Sequence, residues 1–185
     1  MVLQQILVFL VSTLFSFYIG AVLIRFLLAW SRADFYNPFS QFIVKITNPP
    51  LVKLRRIIPA LGKLDTAAIV LALLLQIALI ILLVIIQGKS SQISANIFYI
   101  VLLAMIELIR TVIWIYIIAL IIQAILSWTN NQQGNPIAGL LDSLTRPLLR
   151  PVQRYVQPIS GIDVSPMIVM LGLYIILIIL GPSPF

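Results

Sequence analysis

Arginine recurs at every fourth position of one segment, at Arg146, Arg150 and Arg154. This spacing puts the three guanidinium groups on one face of a helix, provided that Pro151 is accommodated at a helix start or a kink. Basic groups at a membrane surface bind anionic lipid headgroups, and they also dock acidic proteins. The pattern is compatible with both uses. The candidate residues for such contacts are Lys53, Arg55, Arg56, Arg146, Arg150 and Arg154.

Glu107 and Arg110 are three residues apart in an otherwise apolar stretch, so on a helix they can form an ion pair. Ionisable residues inside a membrane are costly and often functional. An internal repeat aligns the two residues with Phe9 and Ser12, near the start of an apolar segment, which places them toward the outer membrane interface. We therefore interpret them as an interfacial or structural pair, with ion or proton handling as the alternative.

Asp65 and Asp163 each precede an apolar segment. An aspartate at a helix start caps the free backbone N–H groups and complements the positive end of the helix dipole. We expect this structural role for both. An approach of the two carboxylates across a two-fold axis is the alternative.

The chain contains no His and no Cys. These absences exclude thiolate nucleophiles, zinc-finger ligation and acid–base catalysis by histidine. The sequence also lacks a glycine-rich phosphate loop, a potassium-filter motif and a metalloprotease motif. The sequence thus predicts a protein that is not an enzyme, with no catalytic residue, no metal site and no cofactor.

The elements that must position these residues are apolar. Of the 185 residues, 62% are hydrophobic and only 9% are charged, whereas soluble domains carry about 25% charged residues. The bilayer is therefore the expected solvent. The net charge of +7 then reports orientation and headgroup contact, and nucleic-acid binding is not expected.

Four segments are long and apolar enough to be predicted as transmembrane helices, because about 20 helical residues cross the hydrocarbon core. Residues 97–104 either extend the third span or lie along the interface. Arg25, near the end of the first span, is expected to reach the membrane surface with its long side chain. The predicted spans are residues 3–30, 66–87, 105–128 and 164–180.

A basic connection links the two spans of each pair. Asn37 and Pro38 predict a helix start, with the asparagine as cap and the proline in the first turn. The apolar and polar residues that follow alternate with helical spacing, which predicts an amphipathic helix at the interface. Residues 47–50, Thr-Asn-Pro-Pro, are expected to end it and to start another over residues 51–58.

The two halves match at a constant offset of 98 residues, as Trp30 does with Trp128. Because each half holds two spans, the repeat is parallel, with its pseudo-two-fold axis along the membrane normal. The predicted units are residues 1–94 and 95–185. The predicted fold is all-α, with two parallel-repeat helical hairpins and a proline-punctuated interfacial segment in each. The repeat positions are Trp30, Asn37, Pro38, Pro49, Asp65, Trp128, Asn135, Pro136, Pro147, Asp163 and Pro166.

Loop charge predicts the orientation. The two connections hold six and three Lys or Arg, whereas the loop between the second and third spans holds only Lys89. The positive-inside rule places both connections in the cytoplasm and both termini outside, which is the periplasm in a Gram-negative cell.

The second connection carries a specific signature. It reads Asn-Pro at 135–136, Leu-Thr-Arg-Pro-Leu-Leu-Arg-Pro at 144–151 and Gly-Ile-Asp-Val-Ser-Pro at 161–166, after Leu-Ser-Trp at 126–128. This pattern resembles the repeat of the YggT family of small bacterial membrane proteins. The first unit departs from it, with Asn-Pro-Pro at 48–50 and Lys-Leu-Asp-Thr at 63–66.

The resemblance implies a multi-pass protein of the bacterial cytoplasmic (inner) membrane with no established catalytic residue. Branches of the family are connected with osmotic tolerance, with cell division and envelope organisation, and with assembly of cytochrome b6. The last role implies haem handling and is not transferred, because the chain lacks His and Cys.

We therefore expect a membrane protein that organises or recruits envelope machinery through its basic cytoplasmic face. The alternatives are permeation of a small ion or solute linked to osmotic tolerance, and assistance in assembling another membrane complex. The expected partners are anionic lipid headgroups, a membrane or cytoplasmic protein, and in one alternative a second copy of the chain.

Overall fold

The computed structural model describes residues 2–59, 64–88, 97–128, 135–156 and 163–183. Within these ranges the chain forms six α-helices and no β-strand. Lys63, Lys89 and the first two residues of the 161–166 motif lie outside them. The helices are α1 (Val2–Trp30), α2 (Pro38–Arg55), α3 (Thr66–Ile86), α4 (Ile97–Trp128), α5 (Pro136–Gln153) and α6 (Ser165–Ile179).

Three helices, α1, α3 and α4, are long and apolar enough to cross a membrane. The fourth predicted span, α6, is apolar but has 15 residues. At about 1.5 Å per residue it is about 22 Å long, shorter than a hydrocarbon core of about 30 Å. The all-helical fold is confirmed, whereas the fourth span stays a prediction.

The long helix α4 runs without interruption over 32 residues, from Ile97 to Trp128. Residues 97–104 are therefore part of the same helix as the third predicted span, and whether they cross the membrane or lie along the interface stays a prediction.

The predicted break at residues 47–50 is wrong, because α2 continues through Pro49 and Pro50 as one helix of 18 residues. A proline removes the backbone donor that would bond the carbonyl four residues earlier. Pro50 thus frees the carbonyl of Ile46, and the Tyr18 hydroxyl of α1 donates to that oxygen over 3.3 Å. A partner from a neighbouring helix therefore replaces one of the bonds that the prolines remove.

Helices α2 and α5, which we call the interfacial helices after their predicted location, both start at an Asn-Pro pair, as predicted for α2. The side-chain oxygen of Asn37 accepts from the backbone N–H of Phe39 at 2.9 Å, and that of Asn135 accepts from Ile137 at 3.0 Å. Each cap satisfies one of the backbone donors that a helix start leaves free.

Each interfacial helix packs against the other two helices of its own half: α2 against α1 and α3, and α5 against α4 and α6. The halves join where α1 contacts α4 and α5 and where α3 contacts α4. Buried residues of both halves, Leu23 and Leu51 of the first and Leu140 and Leu144 of the second, belong to one hydrophobic cluster. The interfacial helices are therefore part of the core, while the unit boundaries at residues 94 and 95 stay a prediction.

The end of α1 has an unusual residue in a common motif. The backbone N–H of Ala33 donates to Leu28 O at 3.0 Å, and that of Arg32 donates to Ala29 O at 3.3 Å. These bonds form a Schellman motif, whose central residue adopts positive φ and is usually glycine. Here it is Arg32, with φ of 53°. The local conformation is strained because a side chain occupies a glycine position.

Candidate functional site

The three arginines of α5 lie on one exposed face of the helix, which we call the arginine face (Arg146, Arg150 and Arg154). Pro147 and Pro151 lie inside the continuous helix α5, so the interval of four residues between successive arginines keeps them on one face of this helix and its C-cap. The leucines on the opposite side are buried against the neighbouring helices. The helix thus presents three positive groups outward and an apolar surface inward.

The three arginines differ in their partners. Arg146 forms an ion pair with Asp142, one helical turn earlier, and both side chains are about half exposed. The guanidinium groups of Arg150 and Arg154 form no hydrogen bond or ion pair with any described residue. Two positive charges of the arginine face are therefore uncompensated within the described part of the chain.

In the first half, Lys53, Arg55 and Arg56 are also exposed at the end of α2. Arg55 is not available as a free charge, because its guanidinium binds both oxygens of Asp65. The Asp65 carboxylate makes no capping bond to α3, so the predicted capping role is wrong for this residue. Its nearest strong donor is a planar guanidinium that engages both oxygens, which a backbone N–H cannot do.

The second half repeats this connection without the charge. Gln153 occupies the position equivalent to Arg55, and its amide donates to Asp163 at 2.8 Å. The same carboxylate accepts from the backbone N–H of Ser165 at 2.8 Å, at the start of α6. Burial alone would raise the pKa of Asp163, but the hydrogen bonds from Ser165 and Gln153 outweigh it and hold the pKa below its usual value.

Arg25 was expected to reach the membrane surface with a free side chain, and the structure shows this side chain buried between helices. Only 6% of its surface is exposed. Its guanidinium donates to Thr47 Oγ1 at 2.9 Å, Asn48 Oδ1 at 3.3 Å and the Val44 carbonyl at 3.4 Å. The turn of α2 before the two prolines supplies these three neutral acceptors, so the side chain turns inward and ties α1 to α2.

The second half joins the equivalent residues by a neutral bond of opposite direction, in which the threonine hydroxyl is the donor. Gln123 and Thr145 align with Arg25 and Thr47, and Thr145 Oγ1 lies 2.6 Å from Gln123 Oε1. The same hydroxyl lies 2.9 Å from the Leu141 carbonyl, and it has one hydrogen to donate. Sequence reasoning missed both pairs, although the offset of 98 residues that aligned the tryptophans also aligns these residues.

The two Asn-Pro helix starts meet between the halves. Asn37 Nδ2 donates to the backbone carbonyl of Pro136 at 2.6 Å, and only 6% of Asn37 is exposed. The residues of the repeat signature therefore have two roles here, since Asn37 caps its own helix and also binds the start of the other interfacial helix.

Glu107 and Arg110 lie close together, with Arg110 Nε 3.3 Å from Glu107 Oε1. Arg110 Nη2 also donates to the Leu180 carbonyl at the end of α6, over 3.4 Å. That end of α6 is the one remote from Asp163 and the arginine face. The pair therefore lies toward the opposite end of the helices from the basic connections.

The remaining signature residues lie at helix ends or at prolines inside helices. Trp30 and Trp128 end α1 and α4, and Trp30 is largely exposed with its ring edge-on to Phe26. Pro49 and Pro147 lie at equivalent exposed positions inside α2 and α5, and Pro166 lies in the first turn of α6. Among the described residues no group of three or more acidic side chains could hold a metal ion.

The CCB3/YggT family model matches the chain in two segments, residues 4–86 and 102–183. The chain belongs to the CCB3/YggT family. Two separate matches of similar length are consistent with a tandem repeat.

Curated YggT relatives support the same assignment. A Vibrio alginolyticus protein described as "Uncharacterized protein in proC 3'region" is 41% identical over 89% of this chain and 88% of its own length. The Escherichia coli K12 protein described as "Uncharacterized protein YggT" is 38% identical over 92% of this chain and 86% of its own length. A Pseudomonas aeruginosa relative, "Uncharacterized protein PA0392", is 39% identical over 91% and 85%. No solved structure matches the chain.

Proposed function

We propose that this YggT family member is a non-enzymatic protein of the bacterial inner membrane whose arginine face binds anionic lipid headgroups and thereby organises or recruits envelope machinery. The chemistry is electrostatic, because the arginine face supplies positive charge and hydrogen-bond donors and no nucleophile. The recruited component is a membrane or cytoplasmic protein with an acidic surface.

A single observation carries this proposal. Arg150 and Arg154 are exposed and have no anionic partner among the described residues, on a helix whose other side is buried. When such a helix lies at the membrane interface, its basic side contacts the lipid headgroups while its apolar side stays buried. Each Lys or Arg near an anionic surface contributes about 1 kcal/mol, so the two unpaired arginines supply about 2 kcal/mol, which is about thirtyfold in affinity.

The proposal includes four spans, with α6 crossing a locally thinned part of the bilayer. It places the arginine face in the cytoplasm and the termini in the periplasm. A cysteine introduced at Gln132 is then labelled only from the cytoplasmic side, and one at Ser91 only from outside. The reverse labelling pattern would overturn the orientation and, with it, contact with the cytoplasmic leaflet.

The test of lipid binding is the triple variant R146Q/R150Q/R154Q in nanodiscs. Energy transfer from the protein to a fluorescent phosphatidylglycerol reports local enrichment of anionic lipid, with phosphatidylcholine as the neutral reference. We expect the enrichment to fall in the triple variant and to weaken with salt, because exposed charges are screened.

Two matched controls sharpen this test. R146K/R150K/R154K keeps the charge and loses the guanidinium fork, so it separates net charge from bidentate recognition. K45Q/K53Q/R56Q removes three positive charges from the first half and tests whether the second half is the stronger site. Cross-linking in native membranes followed by mass spectrometry identifies the recruited protein. If the triple Gln variant keeps both its lipid enrichment and its cross-linked proteins, the proposal is wrong.

A further inference from the structure

The two halves of the chain meet head to tail rather than across a two-fold axis. Helix α3 of the first half packs against α4 of the second. A two-fold axis would bring α6 against α1 in the same way, but the described residues of α6 and α1 make no comparable contact. The internal contact of α3 with α4 therefore joins two different faces, and each half is left with an uncovered copy of the face that the other half uses.

The face of α3 that meets α4 is reproduced on α6 without a partner. Ile80 of α3 belongs to a buried cluster with Ile100 and Ala104 of α4, and Leu73 and Ile77 pack against that cluster. Shifted by 98 residues, these three α3 positions carry the same residue types in α6. In α6 they are between 48% and 64% exposed. We call them the α6 face (Leu171, Ile175 and Ile178).

The opposing face of α4 is likewise reproduced on α1. It forms one stripe along α4, whose members belong to or pack against clusters that contain residues of the first half. The members of this stripe are Ile100, Ala104, Leu108, Val112 and Ile115. The equivalent stripe of α1 is apolar throughout, and each of its residues is between 48% and 78% exposed. We call it the α1 face (Val2, Ile6, Leu10, Leu14 and Phe17).

The two uncovered faces match each other in length and chemistry. The α1 face extends over about 22 Å at about 1.5 Å per residue, which equals the length of α6. Helices in a bilayer associate through close packing rather than through the hydrophobic effect, so the shape of a face decides what covers it. The internal contact shows that faces of this pattern pack together. Association also compensates for a helix that is shorter than the hydrocarbon core, as α6 is.

We propose that the α6 face of one copy of this chain binds the α1 face of another copy and so repeats the internal contact of α3 with α4. In the proposed arrangement of four spans, α6 and α1 run in opposite directions, as α3 and α4 do, so all copies keep the same orientation in the membrane. A contact between two different faces continues from copy to copy until it closes into a ring. The arginine face lies on α5 and takes no part in this contact.

Disulfide cross-linking in native membranes tests the contact directly, because the chain contains no Cys. Two differently tagged copies are co-expressed, one as I6C and the other as I178C, and are oxidised with copper phenanthroline. We expect a product that carries both tags. The matched control pairs I6C with I85C and should give no product, since Ile85 is 56% exposed and belongs to neither face. Ile85 lies at the same end of the helices as Ile6, because Gln4 donates to the carbonyl of Ile86.

Truncation of the faces tests the strength of association. Energy transfer between copies that carry donor and acceptor dyes on terminal tags is measured in vesicles over a range of lipid-to-protein ratios. Alanine at all three positions of the α6 face should weaken association at least about tenfold, because close packing is lost. L10A/L14A in the α1 face should also weaken it. The control L74A/L82A truncates two exposed residues outside both faces and should leave association unchanged.

Three outcomes would overturn the proposal. The positive control is I80C/A104C in one chain, which reports the internal contact. If this pair oxidises while I6C and I178C form no product between copies, lipid alone covers the two faces. Energy transfer no greater than that of a random mixture at every ratio leads to the same conclusion. Products that join only I6C to I6C would mean that α1 meets α1 rather than α6. None of these outcomes affects the lipid contact of the arginine face, which is tested with different variants and a lipid probe.

Discussion

The bond between Arg25 and Thr47 should be energetically stronger than its equivalent between Gln123 and Thr145. Both join a long helix to its interfacial helix, at 2.9 Å and 2.6 Å. In the first the donor is charged, and bonds to charged groups contribute about 1.5–3 kcal/mol. Neutral pairs between membrane helices average about 0.6 kcal/mol in double-mutant cycles. We therefore expect the two coupling energies to differ by about 1–2 kcal/mol.

The measurement is a pair of double-mutant cycles. Valine replaces each threonine because it removes the hydroxyl and keeps the shape, and methionine replaces Arg25 or Gln123 because it is unbranched and apolar. The free energy of unfolding is obtained by titrating the protein in mixed micelles with sodium dodecyl sulfate. The single variants also report the lost packing, which cancels in each cycle.

Two outcomes would refute this reasoning. Coupling energies that agree within about 0.5 kcal/mol, the usual error of additivity, would mean that the charge of Arg25 adds nothing to the bond. A larger coupling for Gln123 and Thr145 would mean that the shorter distance decides the strength rather than the charge of the donor.

Four other perturbations have defined outcomes. Arg32→Gly should raise the free energy of unfolding by about 1 kcal/mol, measured in the same titration, because it relieves a side chain at positive φ. The folded-state pKa of Asp163 lies below its ordinary value of 3.8, so the ionised carboxylate stabilises the fold at pH values above 3.8. The difference in free energy of unfolding between the native chain and D163N should therefore shrink as the pH falls below 3.8. A Gln153→Ala variant should raise the pKa of Asp163, followed by carboxyl infrared absorption, and an unchanged value would contradict the role of that hydrogen bond. Glu107→Gln should lower stability by about 1.5–3 kcal/mol, and adding Arg110→Gln should cost less than the sum, because the unpaired charge is removed.

The helical fold and the family could be predicted from the sequence because their signals are long or repeated. Charge-free stretches of more than 20 residues leave few alternatives to membrane helices. The Asn-Pro starts were also readable, since capping depends on residues that are adjacent in the chain. The continuation of α2 through Pro49 and Pro50 was not readable, because it depends on contacts such as the Tyr18 hydroxyl donating to a carbonyl 28 residues away.

The candidate site was only partly predictable for the same reason. The interval of four residues between successive arginines predicted that they share one side of a helix, and in the structure they lie on one exposed side of α5. Spacing alone could not show that Arg55 forms an ion pair with Asp65 or that the side chain of Arg25 points inward. Both contacts depend on how separate helices pack together. Comparison of the two halves position by position supplies part of this information, because equivalent residues form equivalent bonds.

The hydrogen bond from Asn37 to Pro136 makes the contact surface between the two halves, which we call the seam, asymmetric. Two identical chains related by a two-fold axis would make this bond twice, whereas here no described residue accepts a hydrogen bond from the equivalent amide of Asn135. In a homodimer every substitution appears on both sides of the two-fold axis. In a chain that contains both repeats, a substitution changes one repeat and leaves the other as it was. A ligand that binds across this seam therefore meets two different surfaces, and only one of its two orientations is favoured.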